Sequence, residues 1–174
     1  SATLSVGGDF SHLKTRLGIE TADTLCVDSP FDYPRQGVLY VPQGLPAPNT
    51  PEFTEAVVKA ALPVLEVSRG RAFILFTSLR ALDKARGLFR GWEYPLLVQG
   101  DAPKNELLAR FQKAGNAVLL GSQSFWEGVD MPGDALSVVI IDKLPFQPPD
   151  DPVVAARIAQ AEKNGGKPFM DYQL

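Results

Sequence analysis

The stretch AVLLGSQSFWEGVDMPGDALSVVII, residues 117–141, carries the strongest indication of the fold. It begins with the apolar run 117–120 and ends with the mainly apolar run 136–141, and both have the length of a buried strand. The residues between them, 122–134, are rich in polar side chains and glycine, which predicts a loop or a short helix. Near-continuous apolar strands of this kind are typical of a parallel sheet that is covered on both faces.

The alternation of strand and helix extends towards the N-terminus from this stretch. Strands are predicted over 72–76 and 94–98, and a helix follows each of them, over 79–89 and from a cap at Asp101 to Gly115. Strand–helix–strand units place successive strands parallel. The predicted class is therefore α/β, with a mostly parallel sheet and helices on both faces.

Two more helices flank this core in the sequence. Thr50 and Pro51 have the residue types of a helix cap and a first helical position, and Pro63 should kink or shorten the helix that follows. Asp151 and Pro152 open the other helix, which a glycine pair ends.

The first part of the chain has a different character. Residues 23–28 and 37–41 alternate in the manner of strands, and Cys26 falls on the inward side of the first, which predicts a buried, inert thiol. The segment 42–51 holds four prolines in ten residues and is predicted to be an extended surface connector.

Composition excludes several classes of function. A length of 174 residues predicts one domain. One cysteine and one histidine exclude a four-cysteine zinc site, an iron–sulfur cluster and a multi-histidine metal site within this chain. The net charge of −3 argues against a surface that coats nucleic acid, but it allows a narrow site for a few phosphates. The free thiol, the missing signal peptide and apolar runs too short for a bilayer predict a cytoplasmic protein without membrane contact.

No complete catalytic set is encoded in the chain. The closest approach to a phosphate-binding loop, at 165–167, is followed by Pro168 and lacks the required first glycine. His12, the single histidine, lies in a short amphipathic helix and is predicted to be a surface or packing residue. Asp150 and Asp151 precede a proline, so a helix cap is favoured over a metal site.

Polar residues do follow three of the predicted strands. They are Thr77 and Ser78 after the first, Gln99 and Gly100 after the second, and the segment 122–133 after the third. Ligands bind at the carboxyl ends of the strands of an open parallel sheet, and hydroxyls with backbone amides hold phosphates there. The alternative for Thr77, Ser78 and Gln99 is that each only caps a helix.

These segments resemble a known family. The segment 122–133, together with IIDKLPF at 140–146, is similar to motif V and its continuation in the DinG-type helicases, relatives of the XPD helicases in helicase superfamily 2. FILFTS at 73–78 resembles their motif IV, and VQG at 98–100 resembles the short motif that follows it. SATL at 1–4 resembles motif III.

The resemblance implies a RecA-like three-layer domain, the second motor domain of the family, covering 1–174, truncated at both ends and including the connector at 42–51. The parent would be an ATP-driven, 5′-to-3′ helicase on single-stranded DNA, with DNA repair as the associated process. It would use ATP and magnesium, and any iron–sulfur cluster would lie outside this chain. The first motor domain of the same polypeptide would be its partner. The fragment itself would carry half of a site and show no activity, because phosphate cradle, metal-binding acids and arginine finger are all missing.

The family also implies roles for individual residues. Gly128 and Asp130 would contact ATP, and Glu127 would organise the interface between the motor domains. Contacts with the DNA backbone would fall to seven residues, Thr77, Ser78, Gln99, Gly100, Ser122, Gln123 and Ser124. Ser1, Ala2 and Thr3 would couple nucleotide state to DNA contact.

Several alternatives stay open at the level of sequence. Phe125 and Trp126 either stack on a base or anchor the loop to the core. Asp142 and Lys143 either belong to the motif segment or form only a strand-end ion pair, which contributes little if it is exposed. Besides a helicase fragment, the chain fits a non-catalytic α/β module that binds a protein or nucleic acid, or a small-molecule enzyme of doubly wound fold.

Overall fold

A computed structural model describes residues 4–145 and 151–166 of the chain. The chain divides into two compact units, one ending at Val41 and the other starting at Pro42. The predictions for Ser1, Ala2 and Thr3 lie outside the described residues, as do those for Asp150 and Pro168.

The second unit is built on one parallel sheet of four strands. The strands are β1 (Ala72–Leu75), β2 (Leu96–Val98), β3 (Val118–Gly121) and β4 (Val138–Ile141). Their order across the sheet is β2-β3-β1-β4, and all three pairings are parallel. The predicted α/β class with a mostly parallel sheet is therefore confirmed.

Helices α3 (Phe53–Val67) and α4 (Leu79–Leu88) cover one face of the sheet. Alternate residues of β1 point to this face, and Ile74 packs with Leu65 of α3 and Leu82 of α4. Each of these three side chains is almost completely buried. This layer accounts for the apolar stripe of α3, which repeats at helical spacing.

Helix α5 (Lys104–Ala114) covers the opposite face. Phe73 of β1 meets Phe111 of α5 edge-to-face, with ring centroids 4.7 Å apart. Leu107 and Leu119 complete the contact from helix and sheet. Two helical layers around a sheet give the three-layer arrangement that the sequence predicts.

The edge strand β4 departs from the prediction that both sheet faces are covered. Val139 is 54% exposed and Ile141 is 46% exposed. Both lie on the face that α5 covers further across the sheet, since they pair with Phe73 and Leu75. Helix α5 does not extend over β4. The apolar sequence of β4 therefore does not imply that this face of the strand is buried.

Two predicted helix caps are wrong. Helix α3 starts at Phe53, and the hydroxyl of Thr50 instead donates to the carbonyl oxygen of Ala47 at 2.9 Å, within a preceding turn. Helix α5 starts after Pro103, and the carboxylate of Asp101 instead receives a hydrogen bond from Arg86 at 2.8 Å. In both cases a turn before the helix uses the polar side chain.

Helix α3 is also longer than its internal proline predicts. It runs without interruption from Phe53 to Val67 through Pro63. Pro63 is exposed, so water can satisfy the carbonyl group that lacks its helical N–H partner.

Helix α6 (Pro152–Lys163) begins as the sequence predicts. One carboxylate oxygen of Asp151 accepts from the backbone N–H groups of Val153 at 2.8 Å and Val154 at 3.0 Å. Asp151 is therefore a helix cap. No helix in the described ranges 4–145 and 151–166 is long and apolar enough to cross a membrane.

The first unit contains the short helices α1 (Ser11–Leu17) and α2 (Tyr33–Gln36). His12 is exposed on α1, as predicted. The strands predicted over 23–28 and 37–41 do not form, because neither segment pairs with a neighbouring strand among the described residues. The prediction of a buried Cys26 is consequently wrong, and its side chain is exposed.

Candidate functional site

The four strands deliver polar residues to one edge of the sheet. Leu75 pairs with both Gly121 and Ile141, and Val98 pairs with Leu120, so the carboxyl ends lie side by side. The residues that follow these ends are Thr77, Ser78, Gln99, Gly100, Ser122 and Asp142. The common edge predicted from the strand–helix alternation for Thr77, Ser78, Gln99, Gly100 and Ser122 is confirmed, and Asp142 adds to that set.

Gln99 and Ser122 are joined by two hydrogen bonds at this edge. The side-chain oxygen of Gln99 accepts from the backbone N–H of Ser122 at 2.6 Å and from its hydroxyl at 3.0 Å. The alternative of Gln99 as a simple helix cap is thereby excluded, since α5 starts only at Lys104. The amide hydrogens of Gln99 make no hydrogen bond within the described residues, so two donors stay available for a ligand.

Thr77 and Ser78 occupy the adjoining position at the end of β1. The backbone N–H of Thr77 donates to a carboxylate oxygen of Asp142 at 3.1 Å. Ser78 caps α4, because its hydroxyl oxygen accepts from the backbone N–H of Ala81 at 3.2 Å. The cap uses only the acceptor side of this hydroxyl, so its hydrogen can still be donated.

Asp142 is a buried carboxylate at the end of β4. Burial raises its pKa, while hydrogen bonds from the backbone N–H groups of Lys143 and Thr77 oppose the rise. The predicted strand-end ion pair is wrong, because the carboxylate binds the backbone of Lys143 at 2.8 Å and no ion pair joins the two side chains. Asp142 instead ties the end of β4 to the end of β1.

The segment after β3, which we call the edge loop (Ser122 to Gly133), starts with a 3-10 turn at Gln123–Phe125. Phe125 is buried and packs on Gly121, where an added Cβ would lie 2.9 Å from the Cβ of Phe125. Trp126 packs against the same core. The anchoring alternative for these two rings is therefore favoured over stacking on a base.

Two side chains of α5 hold the edge loop in place. The ammonium group of Lys104 donates to the carbonyl oxygens of Ser124 at 2.5 Å and Glu127 at 3.2 Å. It also lies 5.5 Å from the ring centroid of Phe125, within cation–π distance. The amide nitrogen of Gln112 donates to the carbonyl oxygen of Pro132 at 3.2 Å.

Sequence reasoning missed both residues, although one signal pointed to Lys104. A positive charge in the first turn of a helix opposes the helix dipole, so a lysine there calls for a local partner. Gln112 gives no such signal, since its exposed position on α5 is ordinary for glutamine.

The far part of the edge loop faces solvent. Glu127, Gly128 and Asp130 are all exposed. Gly128 has a φ of 64°, a left-handed conformation that disfavours other residues and helps to shape the turn before Asp130. Within the described ranges, no group of three or more acidic, histidine or cysteine side chains could hold a metal ion. This edge thus offers hydrogen-bond donors and the two exposed carboxylates of Glu127 and Asp130.

The family follows from a match to the helicase C-terminal domain over residues 61–174. The chain belongs to the helicase C-terminal domain family. The RecA-like α/β fold that the resemblance implied is therefore confirmed, and the parallel sheet with its two helical layers is the expression of that fold in this chain.

Two relatives named as helicases and one named as an exonuclease match this domain and the residues before it. The chain is 47% identical to the ATP-dependent DNA helicase YoaA of Escherichia coli, covering all of this chain and 28% of that protein. It is 39% identical to the ATP-dependent helicase DinG of Mycobacterium tuberculosis, over 98% of this chain and 26% of that protein. It is 33% identical to the 3′-5′ exonuclease DinG of Bacillus subtilis, over 100% of this chain and 20% of that protein.

These relatives confirm the resemblance to DinG-type helicases. The chain spans about a quarter of the length of the relatives it matches. The roles implied for single residues, and the assignment of the whole of 1–174 to one motor domain, stay predictions.

Proposed function

We propose that the protein containing this chain is an ATP-dependent DNA helicase and that the chain contributes its second motor domain. The observation that carries the proposal is the single sheet edge at which three hydrogen-bonding loops and the exposed edge loop converge. Membership in the helicase C-terminal domain family and the helicase names of two relatives support it. The proposed protein is cytoplasmic and moves 5′-to-3′ along single-stranded DNA.

The DNA-contacting part of the proposal uses neutral donors. The amide group of Gln99, the hydroxyl of Ser78 and the exposed residues Gln123 and Ser124 can donate to phosphate oxygens without a positive charge. Backbone contacts of this kind position a strand and carry no sequence information. We assign the same role to Gly100, which is exposed, and we propose that Thr77 and Ser122 support the DNA contact from beneath, since their hydroxyls are buried or bonded to Gln99. This assignment suits an enzyme that moves along DNA of any sequence.

The nucleotide-contacting part of the proposal uses the edge loop. Asp130 presents an exposed carboxylate, which repels phosphate but can accept hydrogen bonds from the hydroxyls of a ribose. Gly128 lets the backbone turn next to it. Glu127 is exposed, and in this proposal it contacts the neighbouring motor domain. In this proposal the first motor domain supplies the phosphate cradle and holds the magnesium ion, since the described residues offer no acidic cluster for a metal.

Strand displacement by the full-length protein tests this function. Two duplexes are compared, one with a 5′ single-stranded tail and one with a 3′ tail, each with ATP and with a non-hydrolysable analogue. The proposal predicts unwinding of the 5′-tailed duplex only with ATP. Unwinding that ignores the nucleotide, or that occurs only on the 3′-tailed duplex, would contradict it, and degradation of the strands would indicate a nuclease instead.

A further inference from the structure

Lys104 places a positive charge at the start of α5, where it does not stabilise the helix. It is the first residue of α5, where its charge opposes the helix dipole, and it is half-buried rather than extended into solvent. Its three contacts, with the carbonyl oxygens of Ser124 and Glu127 and the ring of Phe125, all belong to the edge loop. The charge is therefore used to organise the edge loop and not α5 itself.

One hydrogen bond from Lys104 lies where the backbone of the edge loop turns. The carbonyl oxygen of Glu127 immediately precedes Gly128, where the backbone enters the left-handed conformation. Fixing this carbonyl fixes the plane of the peptide that joins Glu127 to Gly128. The direction in which the chain continues to Asp130 depends on that plane.

The start of the edge loop is also held by a residue of the connection between β2 and α5. Gln99 binds Ser122, and Lys104 binds Ser124 and Glu127, while only a short turn separates Gln99 from Lys104. Helix α5 is itself anchored in the core through buried Leu107 and Phe111. The edge loop is thus held from this part of the chain at Ser122, Ser124 and Glu127.

We propose that Lys104 is a positioning residue that fixes the Glu127–Asp130 segment relative to Gln99 and thereby couples DNA contact to nucleotide contact. This inference rests on the proposed function for the two ligands, but the positioning itself does not. It assigns no direct contact between Lys104 and phosphate, because both observed hydrogen bonds of its ammonium group go to carbonyl oxygens.

Amide hydrogen exchange in the full-length protein, without nucleotide or DNA, tests the positioning alone. The backbone N–H groups of Phe125 and Trp126 are hydrogen-bonded within the 3-10 turn and can report its opening. Lys104→Met should speed exchange at these two amides by about tenfold or more, since it removes charge-assisted hydrogen bonds. Lys104→Arg should restore slow exchange, because a guanidinium can donate to both carbonyl oxygens.

Lys113→Met is the matched control, because Lys113 is an exposed lysine near the other end of α5. It should leave the exchange of both amides unchanged. If Lys104→Met does not fold, Lys104→Gln provides the comparison, since it keeps a shorter neutral donor. Exchange at both amides in Lys104→Met equal to that of the unaltered protein would overturn the proposal.

A double-mutant cycle on the DNA-stimulated ATPase tests the coupling. Lys104→Met and Asp130→Ala should each lower kcat/KM, and the combined variant should be no worse than Asp130→Ala alone, because both act through one segment. Additive losses would mean that Lys104 and Asp130 act independently and would overturn the positioning role. An inactive unaltered protein would refute the proposed function while leaving the exchange result valid.

Discussion

The side-chain oxygen of Gln99 accepts two hydrogen bonds from Ser122, from its N–H at 2.6 Å and its hydroxyl at 3.0 Å. This contact joins the connection after β2 to the connection after β3, two segments that are separated in sequence by a whole helix. It also orients the glutamine amide, leaving its two N–H donors for a ligand. The oxygen of the Gln99 side chain therefore stabilises the fold, and its amide nitrogen is available for binding. Substitutions can separate these two roles.

Gln99→Glu and Gln99→Ala should have different effects on the isolated chain. Glutamate keeps an acceptor for Ser122 but lacks amide donors and adds a negative charge, so stability should be nearly unchanged while binding of single-stranded DNA falls. Alanine leaves the buried N–H of Ser122 unpaired and should cost about 1–3 kcal/mol of unfolding free energy. Urea unfolding and fluorescence anisotropy with a labelled oligonucleotide measure the two effects. Equal destabilisation by both variants would contradict this division.

Binding of single-stranded DNA by the chain alone should be weak and sensitive to salt. The net charge is −3 and the candidate donors are neutral, so only a few phosphates can be contacted. The logarithm of the affinity should fall with the logarithm of the salt concentration, with a slope of about −0.7 for each phosphate contacted. Anisotropy titrations at several salt concentrations give the slope. A tight complex that high salt does not weaken would be inconsistent with contacts to the backbone.

The isolated chain should not hydrolyse ATP, with or without single-stranded DNA. Phosphoryl transfer requires a phosphate cradle, a magnesium ion and a cation on the developing charge. The sequence contains no phosphate-binding loop, and the described residues offer no acidic cluster for a metal. A phosphate-release assay on the purified chain measures this. Turnover that co-purifies with the chain and disappears in Asp130→Ala would show that the site is complete.

Asp142 should make the stability of the domain depend on pH. Burial raises its pKa in the folded state, so the folded protein binds more protons than the unfolded one between the ordinary value of 3.8 and the raised value. Stability should therefore decrease as the pH rises through this window, by about 1.4 kcal/mol for each unit of pKa difference.

Asp142→Asn removes this titration and keeps an oxygen acceptor for Thr77 and Lys143. The unfolding free energy of the unaltered chain relative to this variant should fall as the pH rises from the ordinary value of 3.8 through the raised pKa and then level off, which urea unfolding at several pH values can measure. A difference that rises with pH would show that the carboxylate is stabilised by its hydrogen bonds more than it is penalised by burial.

The core of the fold could be predicted from local sequence because its signals are local. Apolar runs such as 117–120 and the stripe on α3 are buried by neighbours that follow in the same unit. The strands predicted over 23–28 and 37–41 failed for the opposite reason. An alternating pattern yields a strand only where another strand accepts its backbone hydrogen bonds, and the sequence does not state whether one is present.

In the candidate site, too, features that follow from local sequence could be predicted and long-range contacts could not. The shared edge of Thr77, Gln99 and Ser122 follows from parallel strands and could be predicted. The contacts of Lys104 and Asp142 could not, because they join residues that are far apart in sequence and depend on side-chain geometry. Only the unfavourable charge of Lys104 at a helix start gave a warning.

The most direct test of the account compares two aspartates of one region in the full-length protein. Asp130 is proposed to contact ATP, whereas Asp134 is an exposed acid just beyond the edge loop with no assigned role. Unwinding of a 5′-tailed duplex is measured at increasing ATP concentrations for Asp130→Ala and Asp134→Ala, with thermal unfolding as a check on the fold. The account predicts a loss in kcat/KM for ATP of about tenfold or more for Asp130→Ala, and none for Asp134→Ala. Normal unwinding by a well-folded Asp130→Ala protein would contradict the assignment of this edge to the nucleotide.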